Sequence, residues 1–222
     1  MLIHKTNTII TILALKGSGK SVLTEFLILQ NPKSSIIFDP NETLGAFKNR
    51  VFIDGSKSYE AFKTILKVLK KVNGAKVDIV IINCFDAEPL LSMIWERLEN
   101  ILIVIDEVDL YYSAFIPRDT AFFSFINRGR HKQFDLIANA RRPAKVPRDL
   151  TSQSDFIYLG FVGKEPLDLK FYKEVFNKTD NLPKEKYMWK VFDLNKQSYY
   201  NFAIGSNDFK ILERGGLKCK LA

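Results

Sequence analysis

The sequence predicts an α/β fold in which a mainly parallel β-sheet is flanked by helices. Short runs of isoleucine, valine and leucine alternate along the chain with segments of helical periodicity, which is the pattern of this fold class. The runs are continuously apolar, as is typical of strands that are buried on both faces. A glycine-containing loop also separates the first apolar run from the helix-period segment after it. These three observations together give the predicted fold class.

Seven parallel strands are predicted from the apolar runs, and an antiparallel hairpin is predicted near the end of the chain. The seven strands span residues 8–13, 34–38, 50–53, 77–83, 101–105, 134–139 and 155–161. The hairpin consists of residues 188–194 and 198–203, joined by Asn195, Lys196 and Gln197. We expect the hairpin to be added to the parallel core.

The clearest predicted helix spans residues 56–72, and Asn73-Gly74 is expected to end it. Its apolar side chains fall on one stripe, and most of its lysines fall on the other side. The stripe contains Tyr59, Phe62, Ile65, Leu66, Leu69 and Val72, and the lysines are Lys63, Lys67, Lys70 and Lys71. Two further helices are predicted at residues 89–98 and 168–176.

The composition predicts a folded, soluble chain of one domain. Hydrophobic residues make up 46% and charged residues 26% of the 222 positions, which is the balance of a globular protein rather than a disordered one. We assign residues 1–222 to one domain, with a core at about 8–180 and the hairpin and tail at about 181–222. The sequence has no signal-peptide pattern and no apolar run near the ~20 residues of a membrane span. Cys84 and Cys219 lack metal-ligand spacing, so a reducing cytoplasm is the expected compartment.

The loop after the first strand has the pattern of a phosphate-binding loop. It reads Gly17-Ser18-Gly19-Lys20-Ser21 and lies between an apolar strand and the start of a helix. Small residues let backbone amides wrap around phosphate groups, and the helix N-terminus favours negative charge. Lys20 is predicted to contact the β- and γ-phosphates of ATP, and the Ser21 hydroxyl is predicted to bind Mg²⁺.

One position departs from this motif. The pattern begins with glycine, but Ala14 occupies that position here. Alanine is small and can occupy the end of a strand, so the loop is expected to form. A chance Gly-Ser-Gly-Lys-Ser turn before a helix is the alternative interpretation, and the flanking strand and helix argue against it.

A second motif closes the strand at residues 101–105. Asp106 and Glu107 follow this apolar run directly, and a buried strand that ends in a carboxylate is the usual partner of a phosphate-binding loop. Asp106 is predicted to bind Mg²⁺ directly or through water. Glu107 is predicted to orient and deprotonate the attacking water, which favours hydrolysis over transfer to an acceptor. The alternative is a strand that ends in solvated acids, since Asp109 is also nearby.

The order of the motifs resembles the FtsK–HerA superfamily of DNA-pumping ATPases, which implies a RecA-like P-loop NTPase fold. Four further segments carry the resemblance, which spans residues 8–162. They are Ile-Ile-Phe-Asp39-Pro40, Asn127-Arg-Gly-Arg-His131, Ala140-Arg-Arg-Pro-Ala-Lys-Val-Pro147 and Leu150-Thr-Ser-Gln-Ser-Asp155. Within the superfamily, the compact form is similar to genome-packaging ATPases of internal-membrane viruses. The Arg-Arg-Pro variant is similar to zonula-occludens-toxin-like assembly proteins of filamentous phages.

The resemblance implies roles for several polar residues in these segments. Members of the superfamily usually carry glutamine before Arg-Pro as a sensor of the γ-phosphate, and Arg141 occupies that position here. The resemblance therefore implies that Arg141 or Asn139 takes the sensor role, or that sensing is altered. Members also form rings in which an arginine of one subunit reaches the ATP of its neighbour. Arg128 and Arg130 match the segment that supplies this arginine, and a solvated or phosphate-facing arginine is the alternative.

The positive charge of the chain is concentrated between Arg128 and Arg148. The whole chain has 33 basic and 25 acidic residues and a net charge of +8. This segment contributes +6, because it holds one acid, Asp135, and seven basic residues: Arg128, Arg130, Lys132, Arg141, Arg142, Lys145 and Arg148. Such a cluster is expected to contact a DNA backbone in a central pore. The candidate contacts are Lys132, Arg142, Lys145 and Arg148, and a solvated face is the alternative.

The expected function is an ATP-hydrolysing motor that moves double-stranded DNA and packages a viral genome into a capsid. Its expected cofactors are ATP and Mg²⁺, and the resemblance implies a homo-oligomeric ring, a hexamer or a pentamer. Capsid or membrane proteins are expected partners, in the host cytoplasm or at a virion vertex. Two alternatives stay open. One is a filamentous-phage-type assembly or export ATPase, and the other is a P-loop phosphotransferase that acts on a nucleoside or nucleotide.

Overall fold

The computed structural model describes residues 7–44, 50–161, 165–176, 183 and 185–205, without the side chains of residues 174–176. Within these ranges, nine strands form one sheet. The strands are β1 Ile9–Leu13, β2 Ser35–Phe38, β3 Arg50–Asp54, β4 Asp78–Ile82, β5 Leu102–Ile105, β6 Asp135–Ala140, β7 Phe156–Leu159, β8 Met188–Asp193 and β9 Ser198–Ala203. Their order in the sheet is β3-β4-β2-β5-β6-β1-β7-β8-β9.

The directions of the strands confirm the predicted fold class. Strands β1 to β7 pair in parallel, whereas β8 pairs antiparallel with both β7 and β9. The predicted C-terminal hairpin therefore extends the parallel sheet at the side of β7. Strand β6 pairs with β5 on one side and with β1 on the other. It therefore separates the strand before the glycine loop from the strand before Asp106.

The described ranges contain seven α-helices. They are α1 Lys20–Gln30, α2 Ser58–Val72, α3 Glu88–Arg97, α4 Val108–Tyr111, α5 Ala121–Arg128, α6 Arg148–Gln153 and α7 Pro166–Phe176. The three helices predicted at residues 56–72, 89–98 and 168–176 correspond to α2, α3 and α7. Helices α4, α5 and α6 were not predicted, because segments of four to eight residues are too short for helical periodicity to stand out. In the ranges described, no helix is both long and apolar enough to cross a bilayer.

Helix α2 packs through a narrower stripe than its sequence predicts. Ala61, Phe62 and Ile65 are buried against the sheet, whereas Tyr59 and Leu66 are 62% and 39% exposed. The helix ends as predicted, because the residue after it, Asn73, adopts a left-handed conformation with φ 48°.

Apolar side chains cover both faces of the sheet. Neighbouring residues of a strand point to opposite faces, so Ile36 of β2 packs with α2 and α3 while Ile37 packs with α1 on the other face. Full burial of each such side chain contributes about 1.5–3 kcal/mol to the free energy of unfolding. Burial on both faces explains why the strands read as continuous apolar runs.

A buried ion pair joins α1 to the edge strand β3. Glu25 and Arg50 each expose 1% of their side chains, and both terminal nitrogens of Arg50 donate to the Glu25 carboxylate. Arg50 also donates to the carbonyl oxygen of Leu44. Burial raises the pKa of Glu25 to about 8, and the contacts with Arg50 oppose this rise. The pair fixes the position of α1, and thus of the loop before it, relative to the far side of the sheet.

Candidate active site

The glycine loop lies at the carboxyl edge of the sheet, between β1 and α1. Gly17 and Gly19 adopt φ angles of 80° and 93°, a region that glycine enters without steric cost. Helix α1 begins at Lys20, and no side chain caps its first turn. The first amides of α1 therefore have no acceptor within the helix, and the N-terminus favours a bound anion.

Hydrogen bonds to the neighbouring strand ends fix the start of this loop. The amide of Ala14 donates to the carbonyl oxygen of Ala140 at 3.2 Å, and the amide of Leu15 donates to that of Phe161 at 2.8 Å. The Ser18 hydroxyl donates to the carbonyl oxygen of Leu15 at 2.8 Å. The loop is thus anchored between β6 and β7, and Ala14 replaces the glycine of the motif without disrupting it.

The side chain of Lys20 folds back over the loop. Its Nζ atom donates to the carbonyl oxygens of Ala14 at 2.7 Å and Leu15 at 3.2 Å, and the residue is buried. Burial lowers the pKa of Lys20, whereas the nearby carboxylates of Glu107 and Asp106 raise it. The loop after β1 and the acids after β5 flank the carboxyl end of β6, and we call the site between them the cleft.

Asn139 of β6 joins the loop helix to Asp106. It is fully buried, and its Nδ2 atom donates to Asp106 Oδ1 at 2.8 Å and to Thr24 Oγ1 at 2.9 Å. Thr24 lies one helical turn after Lys20, and its hydroxyl donates to the Lys20 carbonyl oxygen at 2.9 Å. Thr24 was not predicted as a site residue, although its spacing of four residues from Lys20 places both on one helical face. A connected set of hydrogen bonds therefore links α1 to Asp106.

Thr43 and Asp39 complete the surroundings of Asp106. The Thr43 hydroxyl donates to Asp106 Oδ2 at 3.0 Å. Asp39, fully buried after β2, accepts from the amides of Thr43 at 2.9 Å and Leu44 at 2.6 Å. Neither residue was predicted to belong to the site. The Asp39-Pro40 pair is a turn signal that could have indicated Asp39, whereas nothing in the sequence marks Thr43.

Glu107 and Arg141 form an ion pair at the carboxyl edge. Arg141 Nε donates to Glu107 Oε1 at 2.5 Å, and the side chains are 7% exposed for Glu107 and 39% exposed for Arg141. The pair is possible because the two residues follow β5 and β6, which are neighbours in the sheet. Burial raises the pKa of Glu107, and the Arg141 guanidinium lowers it. The arginine therefore favours the ionised carboxylate that a general base requires.

The structure divides the predicted basic cluster between the two edges of the sheet. Arg128, Arg130 and Lys132 come before β6 and lie at its amino end, whereas Arg141 follows its carboxyl end. At ~3.3 Å per residue, the six residues of β6 separate these groups by about 20 Å. A buried strand therefore separates the two groups of basic residues on a single chain.

The three basic residues at the amino edge differ in their contacts. Lys132 Nζ donates to the carbonyl oxygens of Trp95 and Glu96, the latter at 3.3 Å. These are the last turns of α3, so Lys132 caps that helix and is a weaker candidate for DNA contact than its charge suggests. Arg128 and Arg130 are exposed and lie far from the glycine loop of their own chain.

The candidate DNA contacts at the carboxyl edge differ in how far their charge is balanced within the chain. Arg142 lies 3.6 Å from the Glu165 carboxylate and 3.9 Å from that of the buried Asp168, so its charge is partly balanced within the chain. Lys145 and Arg148 are exposed at the surface beside it. Lys145 is therefore the best placed of these candidates for contact with a polyanion at this edge, because the Arg148 guanidinium packs over the Phe171 ring, 5.3 Å from its centroid.

The C-terminal hairpin contacts the glycine loop directly. Tyr187, just before β8, donates its amide to the Ser18 carbonyl oxygen at 3.2 Å. Its ring lies against Gly19, because a Cβ atom placed there would be 2.5 Å from a ring carbon. The hairpin therefore extends the sheet and also contacts the loop. Lys218, Cys219 and Lys220, in the tail after the hairpin, lie outside the described residues.

The donors in the cleft fit a triphosphate with a magnesium ion. Each oxygen of Asp106 accepts one hydrogen bond, and a carboxylate oxygen has a second lone pair for a metal ion or its water. Ser21 is in the first turn of α1, next to Lys20, and is partly exposed. Carboxylate and hydroxyl oxygens are the ligand types that Mg²⁺ accepts together with water and phosphate oxygens.

No protein-family model matches the chain, and no curated protein matches its sequence. Solved structures do match its fold. The genome packaging NTPase B204 from Sulfolobus turreted icosahedral virus 2, in complex with sulfate, aligns with a TM-score of 0.66 and 19% sequence identity, over 89% of this chain and 96% of that chain. Structures of the same NTPase with ATP-gammaS and AMPPCP also match.

Two bacterial structures show the same likeness. VirB4 of Thermoanaerobacter pseudethanolicus aligns with a TM-score of 0.60 and 12% identity, over 94% of this chain and 93% of that chain. The N-terminal domain of zonular occludens toxin from Neisseria meningitidis aligns with a TM-score of 0.51 and 12% identity, over 92% and 98%. At these identities the likeness concerns the fold. It confirms the structural resemblance to ATPases of the FtsK–HerA type that the motifs predicted.

Proposed function

We propose that this chain hydrolyses ATP and uses the reaction to move double-stranded DNA, as the motor that packages a viral genome. The observation that carries the proposal is the set of hydrogen bonds through which Thr24 and Asn139 join the start of α1, where Lys20 lies, to Asp106 at the end of β5. A phosphate-binding loop opposite an acid-ended strand is the arrangement in which other P-loop enzymes position a γ-phosphate for attack.

Each residue of the cleft has a distinct proposed role. Lys20 and the first amides of α1 bind the β- and γ-phosphates. Ser21 and Asp106 hold the magnesium ion, which when bound neutralises charge on the phosphate oxygens. Glu107 orients the attacking water and accepts its proton, and the products are ADP and phosphate. Asn139 and Thr43 position the Asp106 carboxylate through the hydrogen bonds described above.

The DNA and packaging parts of the proposal have separate support. The name of B204 describes a genome packaging NTPase, and that protein aligns with 89% of this chain. Exposed Lys145 and Arg148 at the carboxyl edge provide charge for phosphate contacts. Exposed Arg128 and Arg130 lie at the opposite edge from the loop of their own chain, so they suit a ring in which they reach the ATP of a neighbour.

The test is ATP hydrolysis by the full chain, measured with and without double-stranded DNA while particle mass is followed by light scattering. We expect DNA to increase turnover, nucleotide to promote a ring-sized particle, and added salt to weaken the DNA effect. Lys145→Ala should weaken the DNA stimulation more than Lys67→Ala, an exposed lysine of α2. The proposed motor function would be wrong if DNA did not change ATP turnover and the chain stayed monomeric in the presence of nucleotide.

A filamentous-phage-type assembly or export ATPase is a second candidate, favoured by the likeness to the zonular occludens toxin domain. It predicts ATP hydrolysis that DNA does not stimulate and a chain that is recovered with membranes through a partner. A phosphotransferase predicts a third outcome in the same assay. Labelled phosphate would then appear on a nucleoside or nucleotide acceptor rather than in free phosphate.

A further inference from the structure

The ion pair between Arg141 and Glu107 has a single hydrogen bond, and its two side chains differ in exposure. Only one bond joins the two side chains, from Nε to Oε1 at 2.5 Å. Glu107 is almost fully enclosed, whereas 39% of the Arg141 side chain is exposed. The rest of the guanidinium can therefore meet a ligand while the carboxylate is enclosed behind it.

Asn139, the other candidate for a phosphate contact at the end of β6, already makes hydrogen bonds within the chain. Asn139 is fully buried, and its amide group bonds both Asp106 and Thr24. Asn139 could reach a phosphate only by breaking these hydrogen bonds. Arg141, two residues later, is cationic and partly exposed, so it is the better placed of the two.

A guanidinium binds phosphate as readily as carboxylate, often through two parallel N–H donors. The Nε atom of Arg141 cannot at the same time donate to Glu107 and turn fully toward a phosphate on the loop. Binding of a γ-phosphate through the Nε donor of Arg141 and pairing of that donor with Glu107 therefore oppose one another. Two such mutually exclusive contacts are coupled, and the coupling acts equally in both directions.

We propose that Arg141 is a positioning residue that exchanges partners during the ATP cycle. Its Nε donor pairs with Glu107 when the cleft holds no γ-phosphate, and the same donor turns to the γ-phosphate when ATP binds. The exchange releases the Glu107 carboxylate to the attacking water only when a triphosphate is present. This inference rests on the proposed ATPase function, and it concerns the control of the same site.

The test is a double-mutant cycle on nucleotide affinity, without added DNA. Dissociation constants of ADP and of the non-hydrolysed analogue AMPPCP are measured for the full chain, Glu107→Gln, Arg141→Gln and the double variant. We expect Glu107→Gln to strengthen AMPPCP binding relative to ADP by about 5-fold or more, because Arg141 no longer has to leave an ion pair. In the Arg141→Gln background, the same substitution should leave the ratio of the AMPPCP and ADP dissociation constants nearly constant.

If Glu107→Gln changed the ratio of the two dissociation constants equally with and without Arg141, the proposed exchange would be wrong. The effect would then come from the loss of a negative charge near the phosphate, which does not require Arg141. Arg97→Gln, an exposed arginine at the end of α3, is the matched control and should leave the cycle unchanged. Should Arg141→Gln fold poorly, Arg141→Lys keeps the charge without the planar Nε donor, and the coupling should still fall.

The outcome separates this inference from the function on which it rests. If the chain binds no AMPPCP, or if Lys20→Ala binds it equally well, the proposed ATPase function itself fails. If binding depends on Lys20 and the cycle shows no coupling, only the exchange of partners by Arg141 is wrong.

Discussion

The Cβ atom of Ala14 lies 2.8 Å from the position that a Cβ atom would take at Gly160. The ring of Trp189 would be closer still, at 2.6 Å. Gly160 follows β7, beside the end of β1, so the absence of a side chain there leaves room for the methyl group of Ala14. The alanine that departs from the loop motif is thus matched by a glycine on the adjacent strand end.

Gly160→Ala should destabilise the chain, because an added methyl group would overlap both Ala14 and Trp189. We expect the free energy of unfolding to fall by about 1–3 kcal/mol, measured by urea denaturation. The double variant with Ala14→Gly should recover part of this loss, since one of the two overlaps disappears. An unchanged free energy of unfolding in the single variant would contradict the packing described here.

Lys20→Ala should abolish binding of ATP, because the residue supplies the buried ammonium group beside the loop. Lys16→Ala is the matched control, since Lys16 belongs to the same loop but is exposed. Binding is measured by titration calorimetry with AMPPCP. Similar affinities in the two variants would show that the loop does not bind the phosphates through Lys20.

Glu107→Gln should retain nucleotide binding and lose hydrolysis, because glutamine keeps the shape of the side chain but cannot accept the proton. Loss of a general base lowers turnover by about 10²–10⁴-fold, measured as phosphate release at saturating ATP. Glu96→Gln, at the end of α3, is the control and should keep full turnover. A Glu107→Gln variant as active as the parent chain would remove Glu107 from the mechanism.

Asn139→Ala should raise the concentration of Mg²⁺ needed for half-maximal hydrolysis. Asn139 orients Asp106 by the 2.8 Å hydrogen bond from its amide, and loss of such a supporting contact typically weakens metal binding by about 10–100-fold. Asn195→Ala removes a comparable hydrogen bond to Asp155 at the surface and should leave the Mg²⁺ requirement unchanged. The same Mg²⁺ requirement in both variants would refute a metal-supporting role for Asn139.

Glu25→Leu should destabilise the fold strongly, because the buried Arg50 guanidinium loses its carboxylate. Removal of one partner of a buried pair costs about 3–5 kcal/mol, whereas apolar replacement of both is often tolerated. The double variant with Arg50→Met should therefore be more stable than Glu25→Leu alone in urea denaturation. Glu60→Leu breaks the exposed pair with Lys63 and should change the free energy of unfolding by under about 1 kcal/mol.

The sequence predicted the elements that carry long apolar runs or sustained periodicity. All seven parallel strands, both strands of the hairpin and the three predicted helices are present, and no end is shifted by more than two residues. The loop and the acids after β5 were also predicted, because each stands beside a strand of unmistakable composition. Helix α5 was not, because its eight residues leave little length in which a period can repeat.

The order of the strands could not be read from the sequence, and several contacts of the site depend on it. Arg141 reaches Glu107 only because β6 pairs with β5, and Asn139 reaches Asp106 for the same reason. Thr43 belongs to a turn whose path is set by Asp39 rather than by any periodicity. The strand predicted at residues 134–139 already divides the segment rich in arginine and lysine, but its neighbours β5 and β1 could not be predicted.

The insertion of β6 has a consequence for the size of the cleft. Neighbouring strands lie about 4.8 Å apart, so the ends of β1 and β5 are separated by roughly twice that spacing. Direct pairing of β1 with β5 would halve the gap and leave no width for a phosphate group, a metal ion and a water molecule side by side. Strand β6 thus sets the width of the cleft. Because that width comes from backbone hydrogen bonds between strands, substitutions of side chains around the cleft can alter its chemistry without changing its dimensions.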